Sequence, residues 1–110
     1  MKIQIQKRKF DAELCFGVGN WKGFMFTFSQ KGAKILSFHS ERRISLHMFF
    51  VFFPLHALFL DSRMRVVDYK LLRPFTLYSS PSRAKYVVEV PFSLWKGLHM
   101  KRGEKIKFIR

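Results

Sequence analysis

The chain has 110 residues, of which 48% are hydrophobic and 14 are Phe, so it suits one domain with a single core and excludes a disordered protein. Its 21 Lys and Arg against 7 Asp and Glu give a formal net charge of +14, which predicts a partner with negative charge, such as nucleic acid or another anionic ligand. The cations are dispersed, and one of the few dense groups is the basic cluster Lys7, Arg8 and Lys9.

The predicted elements are short strands separated by turns. In residues 2–6, Ile3 and Ile5 face one side and polar residues face the other, as in a half-buried strand. Residues 11–28 contain three glycines, which disfavour a long helix, so we expect a loop that could include a single helical turn. Further strands are predicted at residues 34–38, 44–49, 55–60, 65–70, 85–90 and 104–109.

The best hairpin candidate joins residues 55–60 to 65–70. Asp61 is a good opening residue for its turn. Directly before residues 55–60, Pro54 interrupts an aromatic run. Because proline cannot donate a hydrogen bond to a sheet, the run must break, bulge or lie on an edge there. Most Phe side chains of this run, at positions 49, 50, 52, 53 and 59, are expected to be buried.

Polar segments mark the expected connections. Residues 39–43 and 79–82 are predicted to link strands, and residues 91–98 allow one short helix with Ser93 as its N-cap. Strands at this spacing with so little helix predict an all-β fold. We expect a small barrel-like or jelly-roll-like single domain over residues 1–110.

Three features bear on location. The longest apolar run, residues 46–60, contains Pro54 and two histidines and is shorter than the roughly 20 residues of a membrane-spanning helix. Residues 1–10 lack the apolar core of a signal peptide. The single cysteine, Cys15, cannot form an internal disulfide, which fits a reducing compartment. We therefore expect a cytoplasmic protein without a membrane partner.

A series of short motifs resembles the DUF192 family, a domain of unknown function. In chain order they are Gly23-Phe24-Met25-Phe26, His47-Met48, Phe53-Pro54-Leu55, Leu58-Phe59-Leu60-Asp61, Arg65-Val66-Val67, Ala84-Lys85-Tyr86-Val87-Val88-Glu89-Val90-Pro91 and Lys101-Arg102-Gly103-Glu104-Lys105-Ile106. The resemblance covers about residues 23–109. It implies a small, mostly β barrel-like or jelly-roll-like domain without an established activity.

The chain departs from the family pattern in its central motif. Many members carry W-M-K-N-T followed by P-L-D, whereas residues 47–51 here read H-M-F-F-V and residues 54–56 read P-L-H. The polar positions have thus become Phe49, Phe50 and Val51. If those polar groups form a binding site elsewhere in the family, this chain has lost most of it. The version present here resembles an archaeal-like branch.

Catalytic and metal-binding patterns are weak. Asp61, Asp68 and Glu104 are best interpreted as counter-charges to the many cations, and Cys15 as a buried small hydrophobe. The four histidines show neither H-x-H nor H-x-x-x-H spacing, and no C-x-x-C is present. We therefore expect no metal and no cofactor, and we favour a protein without catalysis over an enzyme, although the sequence leaves both open.

Aromatic residues beside cations are the pattern that small β-barrels use to bind single-stranded nucleic acid. Lys85 with Tyr86, and Trp95 with Lys96, fit such a surface, and Arg73 lies near Phe75. The competing interpretation is that these aromatic residues belong to the core and the cations are their solvated neighbours.

Three functions remain open. The first is a non-catalytic binding module for an anionic partner such as nucleic acid. The second is a small-molecule pocket protein or an enzyme, with its site near His47, His56 and Arg73. The third is an interaction protein whose Phe-rich face joins two protomers. A basic stripe would favour the first, an enclosed cavity with convergent polar groups the second, and an exposed apolar patch the third.

Overall fold

Seven strands form one mixed sheet in the computed structural model, which describes residues 1–16, 32–48 and 51–109. The strands are β1 (Lys2–Ile5), β2 (Arg8–Phe16), β3 (Ala33–His47), β4 (Leu55–Leu60), β5 (Val66–Leu72), β6 (Leu77–Pro91) and β7 (Lys107–Ile109). Within the described ranges the helical structure is a 3₁₀ helix of three residues, Phe92–Leu94. The all-β prediction is confirmed. No helix in these ranges is long and apolar enough to cross a membrane.

The sheet order is β5-β4-β6-β3-β2-β1-β7, so β6 lies between β4 and β3. The second half of β6 pairs with both β3 and β4, so Val87 lies between Leu36 and Phe59. The first half of β6 pairs with β3. The strands β5 and β6 follow each other in the chain but are not neighbours in the sheet. They therefore diverge after the turn at residues 73–76.

The two edges of the sheet approach each other through the segment before β7. Arg65 forms an isolated antiparallel bridge with Lys105. Around it, the Val66 N–H donates to the Glu104 carbonyl at 2.8 Å, and the Gly103 N–H donates to the Val66 carbonyl at 2.7 Å. Gly103 has φ of 93°, a left-handed conformation that favours glycine. These contacts make the sheet barrel-like without closing its ladder.

Two buried clusters lie on opposite faces of the sheet. Because successive side chains of a strand point to opposite faces, Ala57 and Phe59 pack with Val87 in one cluster, whereas Leu58 packs with Val88 in the other. All six side chains of β4 are buried. A strand covered on both faces has a nearly continuous apolar sequence, as β4 does.

The hairpin prediction is confirmed by β4 and β5, whose pairing runs from Leu55 opposite Leu72 to Leu60 opposite Val66. Asp61 shapes the turn because its Oδ1 accepts hydrogen bonds from the N–H groups of Arg63 and Arg65, at 2.9 and 3.0 Å.

Four local predictions are wrong. Residues 11–16 continue β2 and are not part of a loop. The polar residues 39–43 and 79–82 lie inside β3 and β6, where register shifts mark bulges. Extra residues that bulge out of a ladder are free to be polar, which gives them the composition of a connection. The short helix allowed within residues 91–98 is present as Phe92–Leu94, but its N-cap is Pro91 rather than Ser93.

The Phe run is buried in part. Phe59 and Phe53 lie in the core, whereas Phe52 is 45% exposed and contacts Phe75 edge-on, with ring centroids 5.7 Å apart. Phe49 and Phe50 lie outside the described residues.

Candidate functional site

The β1–β2 hairpin brings a cation onto an aromatic ring from a distant part of the chain. Arg8 begins β2 directly opposite Ile5, and its guanidinium carbon lies 4.4 Å from the ring centroid of Trp95. Phe10 stacks on the same ring, with centroids 5.9 Å apart. Arginine over a tryptophan face is a favourable cation–π geometry. We call Arg8, Phe10 and Trp95 the Trp95 surface.

The strand geometry divides the predicted basic cluster. Arg8 shares a face with buried Ile5 and covers Trp95, whereas Lys9 lies opposite Gln4 and faces the other side of the sheet. Lys7 belongs to the turn, and all three cations are exposed. The structure thus joins Arg8 to Trp95, two residues that the sequence suggests separately, and places Lys9 away from them.

Lys85 and Tyr86 form a second cation–aromatic contact on β6. The Lys85 Nζ lies 5.4 Å from the Tyr86 ring centroid, and that ring meets Phe108 edge-on at 5.5 Å. Tyr86 is half-buried and packs, like Trp95, against the core cluster of Leu58 and Val88. Part of each ring therefore belongs to the core, as the competing interpretation holds.

His56 lies in the core, away from His47 and Arg73. It is 1% exposed and uses both ring nitrogens. The Trp95 carbonyl lies 2.7 Å from Nε2, so Nε2 donates, and Nδ1 lies 2.7 Å from the Tyr69 hydroxyl. Burial lowers the pKa of His56, against the opposing effect of the Trp95 carbonyl. A neutral ring accepts from Tyr69 at Nδ1, which ties β4 and β5 to the segment after the 3₁₀ helix.

Arg73 and His47 line neighbouring depressions at the start of β6. The first, which we call the β5–β6 cleft, measures about 410 Å³. It is lined by Lys70, Leu71, Leu72, Arg73, Thr76, Leu77 and Tyr78. The second, which we call the His47 groove, measures about 240 Å³ and is lined by Ser45, Leu46, His47, Leu77, Tyr78 and Ser79. Both are open, and they share Leu77 and Tyr78.

Asp68 anchors the ring that separates these depressions. Its Oδ2 accepts hydrogen bonds from the hydroxyls of Tyr78, at 2.6 Å, and Ser80, at 3.0 Å. Burial, together with the hydrogen bond to Asp68 and its charge, raises the pKa of Tyr78 to about 12. The Tyr78 hydroxyl therefore stays protonated at neutral pH. Asp68 binds hydroxyls, whereas the sequence suggests a counter-charge to Lys and Arg.

Sequence reasoning overlooked Glu89 as a candidate. It lies on β6 between Lys34 of β3 and Ala57 of β4 and is 5% exposed. Burial raises its pKa to about 7, although the Lys34 charge acts in the opposite direction. Its Oε1 has no hydrogen-bond partner among the described residues. The sequence pattern that could have identified Glu89 is its position among three valines in residues 87–90.

The three glycines of residues 11–28 and the motif Gly23-Phe24-Met25-Phe26 lie outside the described residues. Among the residues that are described, no group of three or more His, Cys, Asp or Glu side chains could hold a metal ion.

Solved structures share this fold. The chain superposes on a protein of unknown function from Novosphingobium aromaticivorans with a TM-score of 0.78 at 19% identity, covering 97% of this chain and 82% of that one. For a proposed transcription regulator from Sinorhizobium meliloti the TM-score is 0.81 at 17% identity, covering 96% and 89%. At these identities the likeness shows the fold alone.

Sequence relatives come from archaea. A UPF0127 protein of Pyrococcus abyssi is 39% identical over 75 residues, which cover 68% of this chain and 64% of the relative. One from Thermococcus gammatolerans is 32% identical over 93 residues, which cover 83% and 61%. The chain thus spans less than two thirds of the length of these curated relatives. The family DUF192, described as "Uncharacterized ACR, COG1430", matches residues 18–108. The chain therefore belongs to the DUF192 family.

Proposed function

We propose that this protein is a non-catalytic binding module for an anionic partner, with single-stranded nucleic acid as the first candidate. The observation that carries the proposal is the contact of Arg8 with Trp95, 4.4 Å from guanidinium carbon to ring centroid. It combines an exposed cation for phosphate with partly buried planar groups beside it, so that a base can stack at the same place. The outer face of the guanidinium supplies the stacking plane, because arginine planes stack on bases as aromatic rings do.

The use of the few carboxylates supports this proposal. Three of the seven acidic residues accept hydrogen bonds from hydroxyl or backbone N–H groups. Asp68 accepts from Tyr78 and Ser80, Asp61 shapes the β4–β5 turn, and Glu41 accepts from the N–H and hydroxyl of Ser62, both at 2.8 Å. Glu89 is buried. The net charge of +14 is thus poorly balanced at the surface, so the surface attracts polyanions.

The first test compares two neighbouring cations on opposite faces of β2. Arg8→Gln and Lys9→Gln each remove one exposed charge, but of these two cations only Arg8 contacts Trp95. Binding of a fluorescent single-stranded oligonucleotide is measured by anisotropy over a range of salt concentrations. We expect Arg8→Gln to weaken binding at least about tenfold, as for a lost charge-assisted hydrogen bond. Lys9→Gln should weaken oligonucleotide binding only slightly, because it removes only non-specific electrostatic attraction.

Salt dependence and fluorescence complete the test. The slope of log K against log salt should be about −0.7 for each phosphate that the wild type neutralises. Oligonucleotide should also quench tryptophan fluorescence, and Trp95→Phe should abolish most of that quenching. Equal effects of the two glutamine variants, together with unquenched fluorescence, would show only the non-specific attraction of any basic protein and would refute the proposal.

A second candidate function is a pocket for a small anionic molecule in the β5–β6 cleft. It is favoured by Lys70 and Arg73 on a cleft of about 410 Å³ whose Tyr78 wall is held by Asp68. His47 lies in the adjoining groove, whereas His56 does not contribute. Benzoate titrated into labelled protein should shift NMR signals of residues 70–78, and Arg73→Gln should remove those shifts. Unchanged signals at high benzoate would exclude this candidate.

A further inference from the structure

The register of β3 and β6 sets two arginines against each other. Arg43 pairs directly with Arg83, and both side chains are exposed. Residues that are directly opposite in an antiparallel ladder point to the same face, with closely spaced Cβ atoms. Like charges at such positions destabilise the sheet. The pair therefore costs stability in the free protein.

Nothing in the described part of the chain compensates this charge. Neither guanidinium makes a hydrogen bond or an ion pair with a described residue. The acidic residue nearest in sequence is Glu41, whose Oε2 already accepts two hydrogen bonds from Ser62. Each arginine carries five guanidinium N–H donors, so this pair of exposed neighbours offers ten donors that no described residue uses.

Hydroxyl groups continue the same face. Two residues beyond Arg43, Ser45 pairs with Ser79, and their Oγ atoms are 2.7 Å apart. On β3, where Arg43 and Ser45 are two residues apart, such residues share a face and are separated by about 6–7 Å. On β6 the register shift separates Ser79 from Arg83 by four residues, and both are exposed. The two serines also line the His47 groove of about 240 Å³. Beyond the arginines, a ligand therefore meets hydroxyls and then the imidazole of His47.

We propose that Arg43 and Arg83 together bind one phosphate group of a ligand, whose remainder lies along Ser45 and Ser79 into the His47 groove. Phosphate oxygens match the planar fork of arginine, and a phosphate has enough oxygens to bridge two guanidinium groups. Its negative charge also removes the repulsion within the pair. This site is separate from the Trp95 surface and stands independently of it. The phosphate belongs either to a free phosphate-bearing molecule or to a nucleic-acid backbone.

The first arm of the test uses inorganic phosphate at constant ionic strength. Phosphate should raise the melting temperature of the wild type in a saturable way, because it binds the folded state. The double variant Arg43→Gln/Arg83→Gln should show at least about tenfold weaker apparent affinity. Arg83→Lys, which keeps the charge but lacks the fork, should lie between them. The matched control is Lys107→Gln, an exposed cation on β7, which should respond like the wild type.

The second arm repeats the comparison with a single-stranded oligonucleotide. A loss of affinity confined to the oligonucleotide supports a backbone phosphate as the source, and a loss with inorganic phosphate supports a small ligand. Without any phosphate the double variant should melt at or above the wild-type temperature, because the repulsion is gone. Equal responses of all variants in both arms, or a lower melting temperature of the phosphate-free double variant, would overturn the proposal.

Discussion

Replacing Glu89 by Gln should change how stability depends on pH. Burial raises the pKa of this carboxyl from 4.5 to about 7, so the folded state holds the proton more tightly than the unfolded state. The corresponding stability is fully present below pH 4.5 and is lost as the pH rises towards 7. At 1.36 kcal/mol per pKa unit, the loss above pH 7 amounts to about 3 kcal/mol.

Glu89→Gln keeps the shape of the protonated side chain but cannot ionise. Its free energy of unfolding should match that of the wild type near pH 4.5 and exceed it by about 3 kcal/mol at pH 8. Urea unfolding followed by circular dichroism at pH 5, 6, 7 and 8 measures this difference. His56 contributes in the opposite direction, because its lowered pKa makes stability fall as the pH drops below 6.5. Both proteins share that contribution, so it cancels.

The matched control is Glu13→Gln. Glu13 is exposed and lies 3.6 Å from the same Lys34 ammonium, so this variant removes a surface carboxylate beside the same cation. Because solvent screens the exposed Glu13 carboxylate, its pair with Lys34 contributes little, and the stability of Glu13→Gln should follow the wild-type pH profile. The reasoning would be refuted if the free energies of unfolding of Glu89→Gln and the wild type differed by the same amount from pH 5 to 8. It would also be refuted if Glu13→Gln showed the same pH-dependent gain in stability as Glu89→Gln.

Three further predictions concern the core and the exposed apolar residues. Phe59→Ala should cost about 3–5 kcal/mol of unfolding free energy, whereas Phe52→Ala should cost under about 1, and equal urea midpoints would contradict the assigned core. His56→Ala should remove the loss of unfolding free energy that the wild type shows below pH 6.5. If the variant lost as much stability on acidification as the wild type, His56 would be excluded as the cause. Phe75 and Leu77 are 53% and 70% exposed, yet the charge of +14 should keep the wild type monomeric in low-salt sedimentation. A wild-type dimer that Leu77→Asp converts to a monomer would instead support the interaction protein that joins two protomers.

Elements whose signal is local were predictable from the sequence. The alternation around Ile3 and Ile5 identifies β1, and the apolar run after Pro54 identifies β4, because side-chain burial follows the strand period directly. The long strands β3 and β6 were missed at their polar middles. There, pairing with a distant strand holds residues 39–43 and 79–82 in the sheet despite their composition.

The candidate site shows the same limit. Arg8 and Trp95 were each suggested by residue type, but their contact depends on how the β1–β2 hairpin packs on the segment after the 3₁₀ helix. The opposition of Arg43 and Arg83 depends on the register of two bulged strands. Such placements follow from long-range pairing, which no local pattern specifies.

The place of β7 next to β1 has a consequence for synthesis of the protein. Of the described strands, the first pairs with the last, from Lys2 opposite Ile109 to Gln4 opposite Lys107. On the ribosome β1 can pair early with β2, but its other edge stays open until residues 107–109 emerge. The sheet is therefore completed only after residues 107–109 have emerged, and slow translation of the codons just before them prolongs the time during which a partly paired, Phe-rich sheet is exposed to aggregation.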